Sequence, residues 1–191
     1  ANPFFNPTWN FLQNNSVYPT DIEIPMLMVG GWFDHNTDGS IFQFDTCTTL
    51  SPLPIGQKHH LLMGPWIHGG HGSANVGNIT QGDLTFPNAN GSDSIGNLFF
   101  DYHLRGIQNG WNTRMPLLYY QMGDNQWLEE SVWPPSYVAN ENWYLQSDNS
   151  ITSTTSIANN FSYNYDPQNP SPTIGGATLR NDLLQGPYDQ T

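Results

Sequence analysis

An acid and an imidazole, each following an apolar run interrupted by glycine, are the residues of this chain best placed to do chemistry. Asp34 closes Gly30-Gly31-Trp32-Phe33-Asp34, and His68 stands in Gly64-Pro65-Trp66-Ile67-His68-Gly69-Gly70. A carboxylate that holds one nitrogen of an imidazole fixes its tautomer and orientation. The other nitrogen is then left to take a proton from a hydroxyl nucleophile. Taken singly, Asp34 could equally cap a helix, and His68 could be an ordinary loop histidine. Their separation of 34 residues, one strand-helix-strand step, is what makes the pair more informative than either member.

Metal chemistry is the competing reading. Asp34, Asn36, Asp38, Gly39, Ile41 and Asp45 match the spacing of a calcium loop with an acid at its last place. Such a loop follows a helix, whereas the approach to Asp34 is strand-like, and Asp45 is shorter than the usual bidentate Glu. His68 and His71, with His59 and His60, are zinc-type residues, but no third ligand stands at a recognisable spacing. The expectation is therefore no metal and no cofactor. Cys47 is the only cysteine, which excludes an intramolecular disulfide and a cysteine-based cluster. His35 and His71 are candidates for the mouth of the site, although solvated loop histidines are the commoner case. Trp32 and Trp66 are expected beside the Asp34 and His68 loops. Trp127, Trp133 and Trp143 fit a core or a domain interface better than a sugar-binding platform.

The elements that must position the pair are legible in outline. Ile22–Val29 is a short apolar run closed by Gly30-Gly31, as a buried parallel strand would be, and His60–Met63 before Gly64-Pro65 reads the same way. Between them Ile41, Phe44 and Cys47 recur at helical spacing, and Ser51–Gly56 ends that helix. Strand, helix, strand favours a parallel sheet covered by helices, whose sites collect at the carboxyl ends of the strands. Ile95, Leu98, Phe99, Tyr102 and Leu104 predict a second helix, with Ser94 or Asp93 as N-cap and Gly106 past its end. Gly72–Gly91 reads as a surface loop. Leu117–Met122 is a strand candidate before the turn Gly123-Asp124-Asn125. From Ser136 onward, short aromatic stretches between Asn, Ser, Pro and Gly clusters follow a β-sandwich pattern, in a segment too short for a whole sandwich.

Composition bounds the function. Of 191 residues only four are basic, Lys58, Arg105, Arg114 and Arg180, and the formal net charge is −12. So acidic a chain is repelled by nucleic acid and by anionic membrane. No apolar run approaches the roughly 20 residues needed to span a bilayer. Few lysines, abundant Asn, Ser and Thr, and sequons at Asn14, Asn78, Asn90 and Asn160 suggest a secreted or periplasmic protein.

The Gly-Gly-Trp-Phe-Asp motif is followed in order by Gly-Pro-Trp-Ile-His, then Leu98-Phe99-Phe100-Asp101-Tyr102-His103-Leu104-Arg105-Gly106, then Trp133-Pro134-Pro135. Together they resemble successive motifs of the family of Xaa-Pro dipeptidyl-peptidases, cocaine esterase and α-amino-acid ester hydrolases. Tyr165-Asp166-Pro167, Asn169-Pro170 and Gly175-Gly176 resemble the opening of that family's C-terminal jelly roll. The resemblance implies the C-terminal half of an α/β-hydrolase domain over residues 1–134, then the start of a jelly-roll β-sandwich over 135–191. It also implies Asp34 as triad acid and His68 as general base, acting on a small ester, amide or peptide substrate.

No G-x-S-x-G elbow precedes Asp34, where the order Ser, Asp, His requires it. The nucleophile is thus expected upstream of Ala1, with the remaining segments of a parent protein as partners and the isolated piece inactive. Ser16 lies in no elbow, and Ser92-Asp93-Ser94-Ile95-Gly96 comes after both partners. Where the amino-ester hydrolases carry acids for a substrate ammonium, this chain has Asn2, Asn6 and Pro7. The rival from another class is a non-catalytic carbohydrate- or calcium-binding β-sandwich protein. It accounts for the aromatics and the acidity but not for the strand-helix-strand order.

Overall fold

In the computed structural model the described residues are 6–14, 16, 18–70, 77–148, 150–155, 164–169, 175–177, 179 and 185–189. They divide between two units, one drawn from residues 1–133 and 174–191, the other from 134–173.

In the first unit, α1 (Pro7–Asn14) precedes β1 (Leu27–Phe33), α2 (Thr37–Leu50) and β2 (His60–Ile67). A hairpin of β3 (Gly77–Gln81) and β4 (Leu84–Asn90) leads into α3 (Ser92–Arg105), β5 (Leu117–Gln121) and β6 (Gln126–Glu130). The main sheet has the order β1-β2-β5-β6. β1, β2 and β5 run parallel, and β6 returns antiparallel through the turn at Gly123 and Asn125. The second unit contains the short antiparallel pair β7 (Tyr144–Leu145) and β8 (Ile151–Thr152). A mixed α/β architecture with several sheets results, consistent with an α/β-hydrolase-like core. Among the described residues there is no closed sandwich.

Alternation along the central strands sorts the core. Leu61, Met63, Leu117 and Tyr119 point to one face, where Phe44 of α2 completes the cluster. Ile41, Phe44 and Cys47 lie at helical spacing, and burial of Phe44 and Cys47 is what holds α2 on the sheet. On the other face Tyr120 packs with Phe86 and Ala89 of β4.

Three local expectations change. β1 begins later than the apolar run suggested and continues through Gly30-Gly31. These glycines do not close the strand. A Cβ on Gly31 would run into the backbone carbonyl of Trp66, so the missing side chain admits the neighbouring strand. α3 starts at Ser92, capped by Gly91 at φ 113°, not by Ser94 or Asp93. The Ser94 hydroxyl donates to the Gly91 carbonyl at 2.6 Å and so belongs to the first turn. Gly106, at φ 68°, does end the helix.

The stretch read as a surface loop, Gly72–Gly91, holds the β3–β4 hairpin from Gly77 to Asn90. Aromatic donors of the main sheet fasten it. Tyr120 Oη–H donates to the Pro87 carbonyl (2.8 Å), Trp127 Nε1–H to Asn88 (2.9 Å) and Trp66 Nε1–H to Ala89 (2.8 Å). Three successive carbonyls of β4 are thus satisfied from outside the hairpin, in keeping with the rule that buried polar groups find partners. A backbone bond from Asp83 N–H to the Pro187 carbonyl (2.9 Å) ties the 185–189 segment to the hairpin turn.

Candidate active site

Register decides whether two residues on adjacent strands can meet. β1 and β2 run in step from Leu27↔His60 to Gly31↔Gly64, and the next pair is Phe33↔Ile67. Between those pairs β1 advances two places and β2 three, so Pro65 and Trp66 hold one extra residue. A proline has no N–H to give a ladder, and in a central strand it belongs at such a bulge. β5 pairs with β2 only over Leu61–Met63, so its ladder asks nothing of Pro65. Without the extra residue Ile67 would stand beside Asp34. With it, Asp34 and His68, each next after a paired residue, are abreast at the carboxyl ends of the strands.

The side chains meet there. His68 Nδ1 lies 3.1 Å from both carboxylate oxygens of Asp34. Asp34 is largely covered, with 14% of its side chain exposed, whereas His68 is 49% exposed. The acid is therefore held and the ring faces outward. Asn36 N–H donates to Asp34 Oδ1 at 2.9 Å, and Thr37 N–H donates to the Asp34 carbonyl at 3.2 Å. The Thr37 hydroxyl lies 2.5 Å and 2.6 Å from the Gly31 and Asp34 carbonyls, closing the strand-to-helix turn. With Nδ1 committed to Asp34, Nε2 is the nitrogen left to exchange a proton with a nucleophile or leaving group.

The hairpin supports the other half. Gln81 is buried at 6% exposure. Its Nε2 donates to the Gly70 carbonyl at 3.0 Å, and its Oε1 accepts from Ile67 N–H at 3.4 Å. One side chain thus brackets the His68 turn, where Gly69 takes φ 70°. Trp32 and Trp66 lie in β1 and β2 below the pair. Trp32 Nε1–H donates to the Tyr120 carbonyl at 2.8 Å.

His35 belongs to the same cluster. Its Nδ1 is 3.0 Å from Asp34 Oδ1, and its ring centroid is 4.7 Å from that of His68. Its position after Asp34 made it a candidate for the mouth of the site, but spacing gave no sign of its direct contact with the pair. His71 lies outside the described residues. The calcium-loop spacing falls on the end of β1 and the first turns of α2, so Asp38 and Asp45 are helical residues.

A second His–Ser pair has the residue types of a catalytic dyad. His59 Nε2 lies 3.0 Å from Ser51 Oγ, both residues being buried. The surrounding bonds fix its protons. Met26 N–H donates to His59 Nδ1 at 3.2 Å, so a neutral His59 carries its proton on Nε2 and gives it to Ser51. Ser51 in turn donates to the Pro19 carbonyl at 2.9 Å. Burial lowers the His59 pKa and keeps the ring neutral. An Nε2 that carries the proton cannot accept one from Ser51. The pair lies at the amino ends of β1 and β2, roughly 25 Å from Asp34 at about 3.3 Å per strand residue. It ties three segments together. Ser51→Ala should therefore leave any esterase turnover within about twofold of wild type and cost about 1–3 kcal/mol, the penalty for orphaning a buried donor. Steady-state rates and denaturant melts check this. A drop in turnover of orders of magnitude would make the pair catalytic.

Comparison with known proteins bears on the chemistry. No family model matches the chain. It is 28% identical over 176 residues to cocaine esterase of Rhodococcus sp. (strain MB1 Bresler), covering 87% of this chain and 29% of that protein. It is 29% identical over 125 residues to a Mycobacterium bovis protein named as a serine esterase, covering 63% of this chain and 17% of that one. Among solved structures, an aminopeptidase from a marine sediment archaeon (Thaumarchaeota archaeon) shares the fold, with a TM-score of 0.62 at 21% identity. That likeness covers 96% of this chain and 32% of the aminopeptidase. The chain thus spans less than a third of the length of the relatives it matches, and it is homologous to bacterial serine esterases.

Proposed function

We propose that Asp34 and His68 are the acid and base of a Ser-His-Asp triad that hydrolyses an ester or amide. The observation that carries the reading is the hydrogen bond from His68 Nδ1 to Asp34 at the ends of adjacent parallel strands, in a chain homologous to serine esterases. The nucleophilic serine and the oxyanion donors belong to a part of the parent protein that precedes this chain.

In the acylation step His68 Nε2 takes the serine proton as Oγ attacks the carbonyl, and returns it to the leaving alcohol or amine. In deacylation it takes a proton from water, and the acid product leaves as the serine is reprotonated. Asp34 stays ionised throughout and stabilises the imidazolium. Residues 1–134 form the C-terminal part of the hydrolase domain, and 135–191 begin a jelly roll. Substrates are acyl esters and amides, including Xaa-Pro dipeptidyl amides, met outside the cytoplasm. Among the described residues no helix is long and apolar enough to cross a membrane.

A fluorophosphonate probe on the parent protein tests this directly. One serine should be labelled, and peptide mapping should place it before Ala1, with hydrolysis of a p-nitrophenyl ester or an Xaa-Pro anilide lost in proportion. Labelling of a serine within residues 1–191, or none at all, would reject the assignment.

A further inference from the structure

Asp34, His35 and His68 each present one potential metal-ligand atom, and the three atoms lie within 4.8 Å of one another. Nδ1 of each ring already touches Asp34 Oδ1. We propose that this cluster is a binding site for a divalent transition metal, Zn2+ above all, and that the bound ion and the Asp34–His68 hydrogen bond exclude each other.

Ligand geometry makes the first half of the case. A tetrahedral zinc ion bound at about 2.0–2.1 Å sets neighbouring donor atoms about 3.3 Å apart. The two edges from Asp34 Oδ1 to the histidine Nδ1 atoms, 3.0 Å to His35 and 3.1 Å to His68, are already close to that. Only the edge between the two rings has to close, and both rings lie on the open side, 37% and 49% exposed. Asn36 N–H on Asp34 Oδ1 supplies the anchoring hydrogen bond that a ligating carboxylate needs. Two imidazoles and one carboxylate suit zinc, leaving its fourth position open, whereas calcium needs six or more oxygens.

Proton accounting makes the second half. The hydrogen bond to Asp34 requires His68 to carry its proton on Nδ1, while ligation requires the Nδ1 lone pair. Each neutral ring must therefore move its proton to Nε2 when the metal binds. His68 then has no basic nitrogen left, and Asp34 spends its charge on the ion. Binding rests on the geometry alone. Inhibition of turnover rests also on the triad reading above.

The test is zinc affinity of the parent protein, measured by competition with a chromophoric chelator after metal removal. Wild type should hold one ion more than His35→Ala, and His35→Gln should weaken that ion by about 100-fold or more. Where a substitution unfolds the protein, cobalt in the wild type gives a second measure: a visible band of a four-coordinate site, abolished by one equivalent of zinc. Equal zinc stoichiometry and affinity in wild type and His35→Ala would overturn the site, as would a wild type with no zinc-displaceable cobalt band. With the site present, zinc should stop ester hydrolysis and a chelator should restore it. Zinc bound by a parent with no hydrolase activity would fail the triad and leave the site standing. Hydrolysis without zinc binding would do the reverse.

Discussion

Replacing His68 by alanine in the parent protein is expected to lower kcat by about 10⁴–10⁶-fold with the fold intact. The size follows from the role proposed for His68 above. Without Nε2 the serine keeps its proton and the leaving group departs without one, so acylation and deacylation both fail. What survives comes from substrate binding and the oxyanion donors. The intact fold follows from position, because the His68 side chain is half exposed and its neighbours in the turn are held independently by Gln81. Steady-state hydrolysis of a p-nitrophenyl ester, with circular dichroism melts in parallel, separates the two effects. Wild-type turnover in the variant would remove His68 from the mechanism. A lost fold would show that the turn needs the ring after all.

Trp66→Ala should be the most damaging single change to stability, at about 3–5 kcal/mol, or a fall in Tm of about 10 °C or more. Trp66 is fully buried and sits at the bulge that aligns Asp34 with His68. Its ring packs 5.8 Å from that of Trp127, and its N–H satisfies the Ala89 carbonyl. Truncation opens a cavity, leaves that carbonyl without its donor and frees one end of the hairpin. Trp66→Phe keeps most of the apolar volume and loses chiefly the hydrogen bond, so it should cost only about 1–3 kcal/mol. Calorimetry or denaturant melts of the three proteins give the ordering. A Trp66→Ala variant as stable as wild type would show that β2 holds its register without the indole.

The strand-helix-strand frame that brings Asp34 and His68 together was legible from local signals. Apolar runs before Asp34 and His68, with Ile41, Phe44 and Cys47 at helical spacing between them, encode strand, helix and strand through burial periodicity alone. Such periodicity is a property of neighbours in sequence. Gly106 likewise announced the end of α3, because few other residues accept a left-handed backbone. Only the tertiary structure decided the rest. The hairpin over Gly77–Asn90 carries few apolar residues, and its strand β4 is secured by donors from Trp66, Tyr120 and Trp127, remote in sequence. No window of sequence contains those bonds. The extra residue at Pro65 and Trp66, which sets His68 abreast of Asp34, depends on how closely two backbones approach at Gly31. The same holds for the contact of His35 with His68 and for the proton positions of His59 and Ser51. Each is fixed by a partner that folding brings near, and residue type alone does not identify that partner.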